Sequence, residues 1–584
     1  MFSLLRLTRL RLPSTSLRRP HLSTLPPLST YRNMSAKTIA VLDESELKDG
    51  DMKQVDFEGE GKILLSRLGD KIHATSAFCT HYGAPLAKGV LTADGRVVCP
   101  WHGACFNVCT GDIEDAPAPA ALHLFKAHVS GGKIHVTADP SSTVKANLAR
   151  QPKIVTSLSQ GKGVVIVGGG SGTYHCIESL REFGYSGPIT VISKEPHSPI
   201  DRTKLSKALL TDPSKLEWRS VAELTEKYGV NFRLNTEVTD IDSATNEVVI
   251  GGNERVPYET LVLATGGVPR RLPIEGRDLS NVFTMRGIAD TKKIDAAVQG
   301  GKRLVVIGSS FISMELVVAV ASRKLASIDV IGQEEVPFET ILGKRIGNGL
   351  QKFHQSKGVK FHMQSQVEKI VASRSDPSKA EAVIVKSSSG ETTTLSADVV
   401  IMGVGVAPAT EYLKSSKGFE KALDKSGAVL VDEYLRVKGV NDVFAIGDIA
   451  MYPQPGTGEL RRVEHWNVAG NQGRAAGKTI SGAEPQPFVK VPIFWSAQGQ
   501  QLRYCGVGSG FDDVIIDGNP DEMKFIAYYV KNDKIIAVSS MQRDPVVSKA
   551  SELLRLGLMP SPAEIRAGKD LLSVDIQTVA ANTK

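Results

Sequence analysis

Residues 164–173 read Val-Val-Ile-Val-Gly-Gly-Gly-Ser-Gly-Thr. A short apolar run, Val164–Val167, meets a glycine cluster and then a helical stretch, Tyr174–Phe183. Strand, glycine turn and helix form the context a dinucleotide needs: glycines let the backbone approach the pyrophosphate, and a helix N-terminus faces the phosphate. Gly168 and Gly170 hold the first two places of the G-x-G-x-x-G pattern, and Thr173 fills the third, so the helix must accept a larger residue there. Glu195 lies 22 residues further on, after the strand Ile189–Ile192, where an acid accepts from a ribose hydroxyl. The pattern recurs 140 residues later as Leu304–Ile307, Gly308 and a helical stretch Phe311–Ser322. Only the first glycine remains in that copy, with Ser310 in the second place. Gln333, Glu334 and Glu335 follow the strand Ser327–Ile331, with no Arg to receive a 2′-phosphate, which leans towards NADH over NADPH. Two such units predict two α/β Rossmann-like dinucleotide-binding domains.

Upstream, residues 38–138 change period. Short runs at Thr38–Leu42, Lys62–Arg67, Lys71–Ser76, Arg96–Cys99, Leu124–Val129 and Lys133–Thr137, separated by Gly and Asp turns, predict a small all-β module. Inside it, Cys79-Thr80-His81 and Cys99-Pro100-Trp101-His102 are separated by seventeen residues. Two mixed Cys/His pairs suit a Rieske [2Fe–2S] centre, where thiolates hold one iron and imidazoles the other. Neutral imidazole donates less negative charge than thiolate, so the potential rises relative to an all-Cys cluster. A Cys2His2 zinc site would instead pair Cys with Cys and His with His. Cys105 and Cys109, just downstream, read as buried small residues. Residues 139–161 read as a linker, and residues 488–584, with strands Tyr504–Val507, Lys524–Val530 and Lys534–Val538 and a helical run Val546–Leu556, as a mixed α+β C-terminal domain.

The chain has 584 residues, 41% apolar and 23% charged, which is the balance of a globular multidomain protein. No apolar stretch reaches the length of a membrane helix, and six Cys do not make a disulfide scaffold. The net charge of +7 hints at a polyanionic partner, but it is an address instead. Residues 1–33 carry six Arg, nine Leu, nine Ser or Thr, no Lys and no acid, and without them the charge is +1. Arg-rich, Ser-rich and acid-free is the composition of a mitochondrial transit peptide. Met34 permits a cytosolic form from a second start. No basic-aromatic patch reads as nucleic-acid binding, and no Ser-His-Asp nucleophile stands out.

Residues 78–111 resemble a Rieske ferredoxin domain. The extra Cys that respiratory Rieske proteins carry after each ligand pair is replaced by Ala84 and Trp101, which implies the lower-potential ferredoxin class. Residues 162–500 resemble the two-dinucleotide flavoproteins, in the apoptosis-inducing-factor-like and ferredoxin-reductase branch. The matching stretches are Asp201–Lys207, Leu263–Gly267, Phe444–Asp448, Glu464-His465-Trp466 and Phe494-Trp495-Ser496. The resemblance implies an FAD domain over 162–285 and 409–487, and an NAD(H) domain over 286–408. It implies that Arg202, Lys207, Thr265, Gly266, Asp448, Trp466 and Trp495 contact FAD, and that Lys207 pairs with Glu315 beside the flavin ring as the catalytic pair. Ile200 stands where relatives often have an aromatic residue. Disulfide reductases of this superfamily need C-x4-C beside the flavin, and residues 190–215 contain no Cys.

The expected activity is electron transfer from NAD(P)H through FAD to the chain's own cluster, or that of a second copy in a homodimer, and on to a ferredoxin, haem protein or oxygenase. Two other readings stay open. One is a redox-sensing or cell-death protein with slow NADH oxidation, which the second unit's serines would suit. The other is the reductase component of a Rieske oxygenase, with the oxygenase a separate protein.

Overall fold

A computed structural model describes residues 36–153, 161–455 and 457–577. The Arg-rich leader and part of the linker lie outside them. The two α/β units repeat one plan. In the first, five parallel strands run in the order 230–233, 189–192, 164–167, 260–263, 443–445. In the second the order is 282–283, 399–402, 303–307, 327–331, 359–362. Each glycine turn leaves the middle strand, where both faces are covered and the run is apolar throughout: Val164–Val167 and Leu304–Ile307 are all buried. Each unit also inserts a three-stranded antiparallel sheet, at 238–257 and 365–396.

The fingerprint helix is Ser171–Glu182, three residues longer at its start than the periodicity indicated, because Ser171 to Thr173 form its first turn. The second helix is Phe311–Val320, and Ala321–Arg323 tighten into a 3-10 turn instead of continuing it. The all-β module has a six-stranded antiparallel sheet and a four-stranded one. Four of its strands, Met52–Phe57, Val90–Leu91, Cys105–Asn107 and Ile113–Asp115, lay outside the sequence assignment; three are only two or three residues long and too short to show a period. Strand Gly61–Leu68 has cores on both sides. Ile63 and Leu65 pack with Val55, Ile134 and Val136, while Leu64 packs under Cys79 and Cys99. This places both ligand loops over a closed apolar floor.

The C-terminal five-stranded sheet is the spacer of the molecule. Side chains alternate along Lys524–Lys531. Phe525, Ala527 and Tyr529 face the second dinucleotide unit and share a core with Leu304, Val306 and Met314. Ile526, Tyr528 and Val530 face the other way and share a core with helix Val546–Leu556 and with Val90, Val98 and Cys105 of the all-β module. The all-β module is therefore joined to the α/β units by a common core.

Polar contacts reinforce the junction. Asn471 Oδ1 accepts from Ala116 N–H at 2.9 Å, and Asn467 Nδ2 donates to Ala116 O at 3.0 Å. Lys490 and Arg96 share Asp115. Arg474 donates to Glu178 at 2.5 Å, to Glu182 at 2.7 Å and to Ile113 O at 2.6 Å. Burial and the Glu182 carboxylate raise the Glu178 pKa to about 7, with Arg474 opposing them. The folded protein holds a proton there that the unfolded chain, titrating near 4.5, releases. This contribution to stability is complete below the unfolded value and is lost as pH rises through about 7. Urea midpoints should fall from pH 5 to pH 8, and Glu178→Gln should flatten the fall.

Candidate functional site

The two ligand loops are built alike. Cys79 N–H donates to Ala84 O and Cys99 N–H to Ala104 O, each at 2.8 Å, and Gly83 N–H and Gly103 N–H return to the carbonyls of Cys79 and Cys99. Gly83 and Gly103 have φ of +72° and +68°, a region that a side chain would strain. Both are closed from outside: an added Cβ would meet Lys145 Cε at 2.5 Å or Ile493 Cδ1 at 2.4 Å. Each sulfur accepts from two backbone N–H groups of its own loop, those of His81 and Tyr82 for Cys79 and of Trp101 and His102 for Cys99.

The four predicted ligands come together. The Cys79 and Cys99 side chains are in hydrogen-bond contact; burial pushes the Cys79 thiol up, and its hydrogen bond helps pull the Cys99 thiol down. The Nδ1 atoms of His81 and His102 face each other at 3.0 Å. Burial, with Lys204 nearby, lowers the His81 pKa to about 3, and burial holds His102 well below the usual value, so both imidazoles are neutral donors. Among the described residues, no three His, Cys, Asp or Glu converge as on a single ion. One sulfur pair and one nitrogen pair suit two irons and not a zinc site. Cys105 is buried, as expected, but Cys109 is exposed, which corrects the expectation for it: it sits at a turn edge with its Sγ 3.6 Å from His73 Nε2.

The rest of the chain covers this centre with aromatics. Trp495 stands 4.1 Å from the His102 ring and 5.5 Å from His81, and Trp218 and Trp466 lie 5.3 and 6.4 Å from His81, centroid to centroid. Lys207 Nζ lies 5.7 Å from the Trp495 ring centroid. Lys207 meets Glu315 at 3.0 Å. Glu315 is buried and also accepts from Ser206 at 2.5 Å and Ser496 at 2.7 Å. The carboxylate is thus fully used, and a paired, hydrogen-bonded charge of this kind is one that burial tolerates.

The remaining predicted positions lie in the two α/β units. At the first fingerprint, a Cβ on Gly168 would strike Ala264 O at 2.2 Å, while one on Gly170 would meet nothing within 4 Å, leaving the helix N-terminus open. Thr173 Oγ1 donates to Gly168 O, which accommodates the larger residue. Glu195 is held by Arg202 at 2.5 Å and, despite burial, below the usual carboxylate range. Thr265 Oγ1 donates to Ala409 O. Asp448 accepts from Arg286 at 2.8 Å, and that guanidinium crosses over Gly266. Trp466 sits among His81, His175 and Trp218 with its buried indole N–H unpartnered. At the second fingerprint, Gly308 packs on Gly403 O, Ser310 caps the helix without a side-chain bond, and exposed Glu334 accepts from Ser309 at 3.3 Å. Tyr82, Trp218, Arg286, Ser206 and Arg474 were not singled out in the sequence. Tyr82 adjoins His81 and Ser206 lies within Asp201–Lys207, though neither carries a signal of its own; Trp218, Arg286 and Arg474 sit in no motif, and only the tertiary fold brings them to the site.

An open glycine-lined helix N-terminus with an acid at the next strand end, a second unit on the same plan, and a paired Cys/His centre define a pyridine-nucleotide flavoprotein with a Rieske module. The chain belongs to the pyridine nucleotide-disulphide oxidoreductase family, whose description matches residues 162–473. A Rieske [2Fe-2S] domain matches residues 37–126 and a reductase C-terminal domain residues 493–573. Apoptosis-inducing factor 3 from Homo sapiens is 38% identical over 527 residues, 89% of this chain and 84% of that one. Rhodocoxin reductase from Rhodococcus erythropolis is 30% identical over 406 residues, covering 68% of this chain and 91% of that one. A solved ferredoxin reductase from Rhodopseudomonas palustris is 28% identical with a TM-score of 0.63, covering 72% of this chain and all of that one. This protein is an electron-transfer oxidoreductase of the flavoprotein type that uses FAD, NAD(P)H and a [2Fe–2S] cluster. No described helix is long and apolar enough to cross a membrane.

Proposed function

We propose that this chain moves electrons from NADH to an external one-electron acceptor, using an FAD site and a Rieske site held side by side in one polypeptide. Bound FAD supplies the exchange between a two-electron donor and one-electron acceptors, and a bound [2Fe–2S] cluster carries one electron at a time. The observation that carries the reading is Trp495, which touches the His102 ring at 4.1 Å and lies under Lys207 at 5.7 Å. One side chain thus spans the Rieske donors and the charge pair assigned to the flavin.

The residues that would hold FAD are Gly168, Gly170, Thr173, Glu195, Arg202, Thr265, Gly266, Asp448, Trp466 and Trp495, in a domain over 162–285 and 409–487. Gly308, Ser310 and Glu334 would hold the nicotinamide dinucleotide over 286–408; the acids after strand Ser327–Ile331 support NADH. Lys207 supplies a fixed positive charge that favours added negative charge at its face, and Glu315 orients its ammonium. Cys79, Cys99, His81 and His102 would hold the cluster, with the neutral imidazoles on one iron. The acid-free, Arg-rich residues 1–33 support delivery to mitochondria.

An anaerobic NADH titration of the holoprotein tests this reading. Flavin bleaching and the Rieske electron-paramagnetic-resonance signal should develop together. A cluster that stays oxidised while the flavin bleaches would sink the reading, and bleaching that takes many minutes would favour a sensing role.

A further inference from the structure

The relay proposed above leaves open where electrons depart, and the surface around His81 bears on that. Of the residues in the two ligand loops, 79–84 and 99–104, only Tyr82 is exposed, at 37%. The loop 99–104 is covered by the C-terminal domain: Ser548 donates to Cys99 O, Arg503 to Pro100 O, and Trp495 lies on His102. The Tyr82 ring stacks on His81, with centroids 3.8 Å apart and planes 16° from parallel. Its hydroxyl donates to the buried Asp201 at 2.5 Å, which fixes the ring in place. Tyr82 is therefore the outer face of one iron-side imidazole, and electron tunnelling falls steeply with distance.

The rim of this window is basic. Lys204 Nζ stands 5.3 Å over the Tyr82 ring and 5.6 Å over Trp218. Lys145 Nζ stands 5.2 Å over Phe78 and closes against Gly83. Lys204 also donates to the main-chain carbonyl of Lys215, which anchors its ammonium at the edge. Among the described residues Lys145 and Lys204 form no ion pair, while most carboxylates of the ligand module are already matched. Asp201, the one carboxylate touching Tyr82, is fully buried. The chain behind its leader is nearly neutral, at +1, so this unpaired positive patch is a local feature.

We propose that the face formed by Tyr82, Lys145 and Lys204 is the docking surface for an acidic one-electron carrier protein. No bond forms or breaks in the exchange: the oxidised carrier takes one electron, the reduced centre behind His81 loses one, and the carrier leaves one charge more negative. The lysines steer the carrier's approach, and the flat aromatic gives a short dry contact at the centre of the patch. Such steering acts on the association rate and weakens with salt.

The test uses the holoprotein with two probes, a small acidic plant-type [2Fe–2S] ferredoxin and basic cytochrome c. The ferredoxin should bind more tightly, with affinity falling as salt rises. Lys145→Glu/Lys204→Glu should weaken ferredoxin binding by about tenfold or more, and Lys145→Gln/Lys204→Gln by less, a grading that follows charge and not folding. Flavin bleaching by NADH and the Rieske absorbance should be unchanged in both variants. Ferredoxin binding no tighter than that of cytochrome c, or undiminished in the Glu variant, would overturn the docking surface while leaving the relay intact. Failure of NADH to reduce the cluster in the unaltered protein would overturn the relay itself.

Discussion

Cys99→Ser is expected to remove the Rieske absorbance and resonance signal, and to cut reduction of one-electron carriers by more than about 100-fold. Bleaching of the flavin by NADH should continue. The reason is local. Cys99 sits at the end of strand Arg96–Val98, its sulfur fully buried, in contact with Cys79 and facing two backbone N–H groups. A hydroxyl there is a harder, more basic ligand than a thiolate, and iron of a [2Fe–2S] centre is held by thiolate. The loop itself should survive, because its hydrogen bonds are made by the backbone of Cys99, Gly103 and Ala104. Retained flavin content together with a lost cluster is the pattern to look for. Carrier reduction at the unaltered rate would show that electrons leave the flavin by another route.

The second large effect is expected on stability. Arg474 lies in the long helix Trp466–Ile480, is 5% exposed, and satisfies Glu178, Glu182 and the Ile113 carbonyl at once. Arg474→Ala strands two buried carboxylates and a carbonyl of the cluster module. Removing one partner of a buried pair costs roughly 3–5 kcal/mol, far more than an exposed pair would. Chemical denaturation above pH 7, where Glu178 is ionised, should show that loss, and Glu178→Gln added to Arg474→Ala should recover part of it by removing one stranded charge. A change under about 1 kcal/mol would mean that the junction is held by its apolar core alone. Since Ile113 belongs to the cluster module and Glu178 to the fingerprint helix, the variant should also slow cluster reduction by loosening the two parts.

Much of this was legible in the sequence. The strand-glycine-helix units declared themselves because a turn that must approach a phosphate permits few residues, and both helices follow directly from Gly170 and Ser310. The four candidate cluster residues stood out because paired Cys/His spacing is what metal geometry imposes, and the structure brings them together. Lys207 and Glu315 carried no local signal and were paired only through the resemblance, yet the structure sets them 3.0 Å apart. Short strands such as Ile113–Asp115 could not be read, since three residues define no period. The contact of Trp495 with both His102 and Lys207 was equally hidden. It depends on the C-terminal sheet sharing a core with both neighbours, which is a property of the fold as a whole. Cys109 shows the opposite failure, a small apolar residue that a turn leaves at the surface.

The central claim is that both redox sites work within one chain, and its most direct test is the concentration dependence of cluster reduction. In anaerobic stopped-flow mixing with excess NADH, the rate at which the Rieske signal develops should be first-order and unchanged when the protein is diluted tenfold. A rate that falls in proportion to dilution would show that electrons cross between molecules, and would contradict the account.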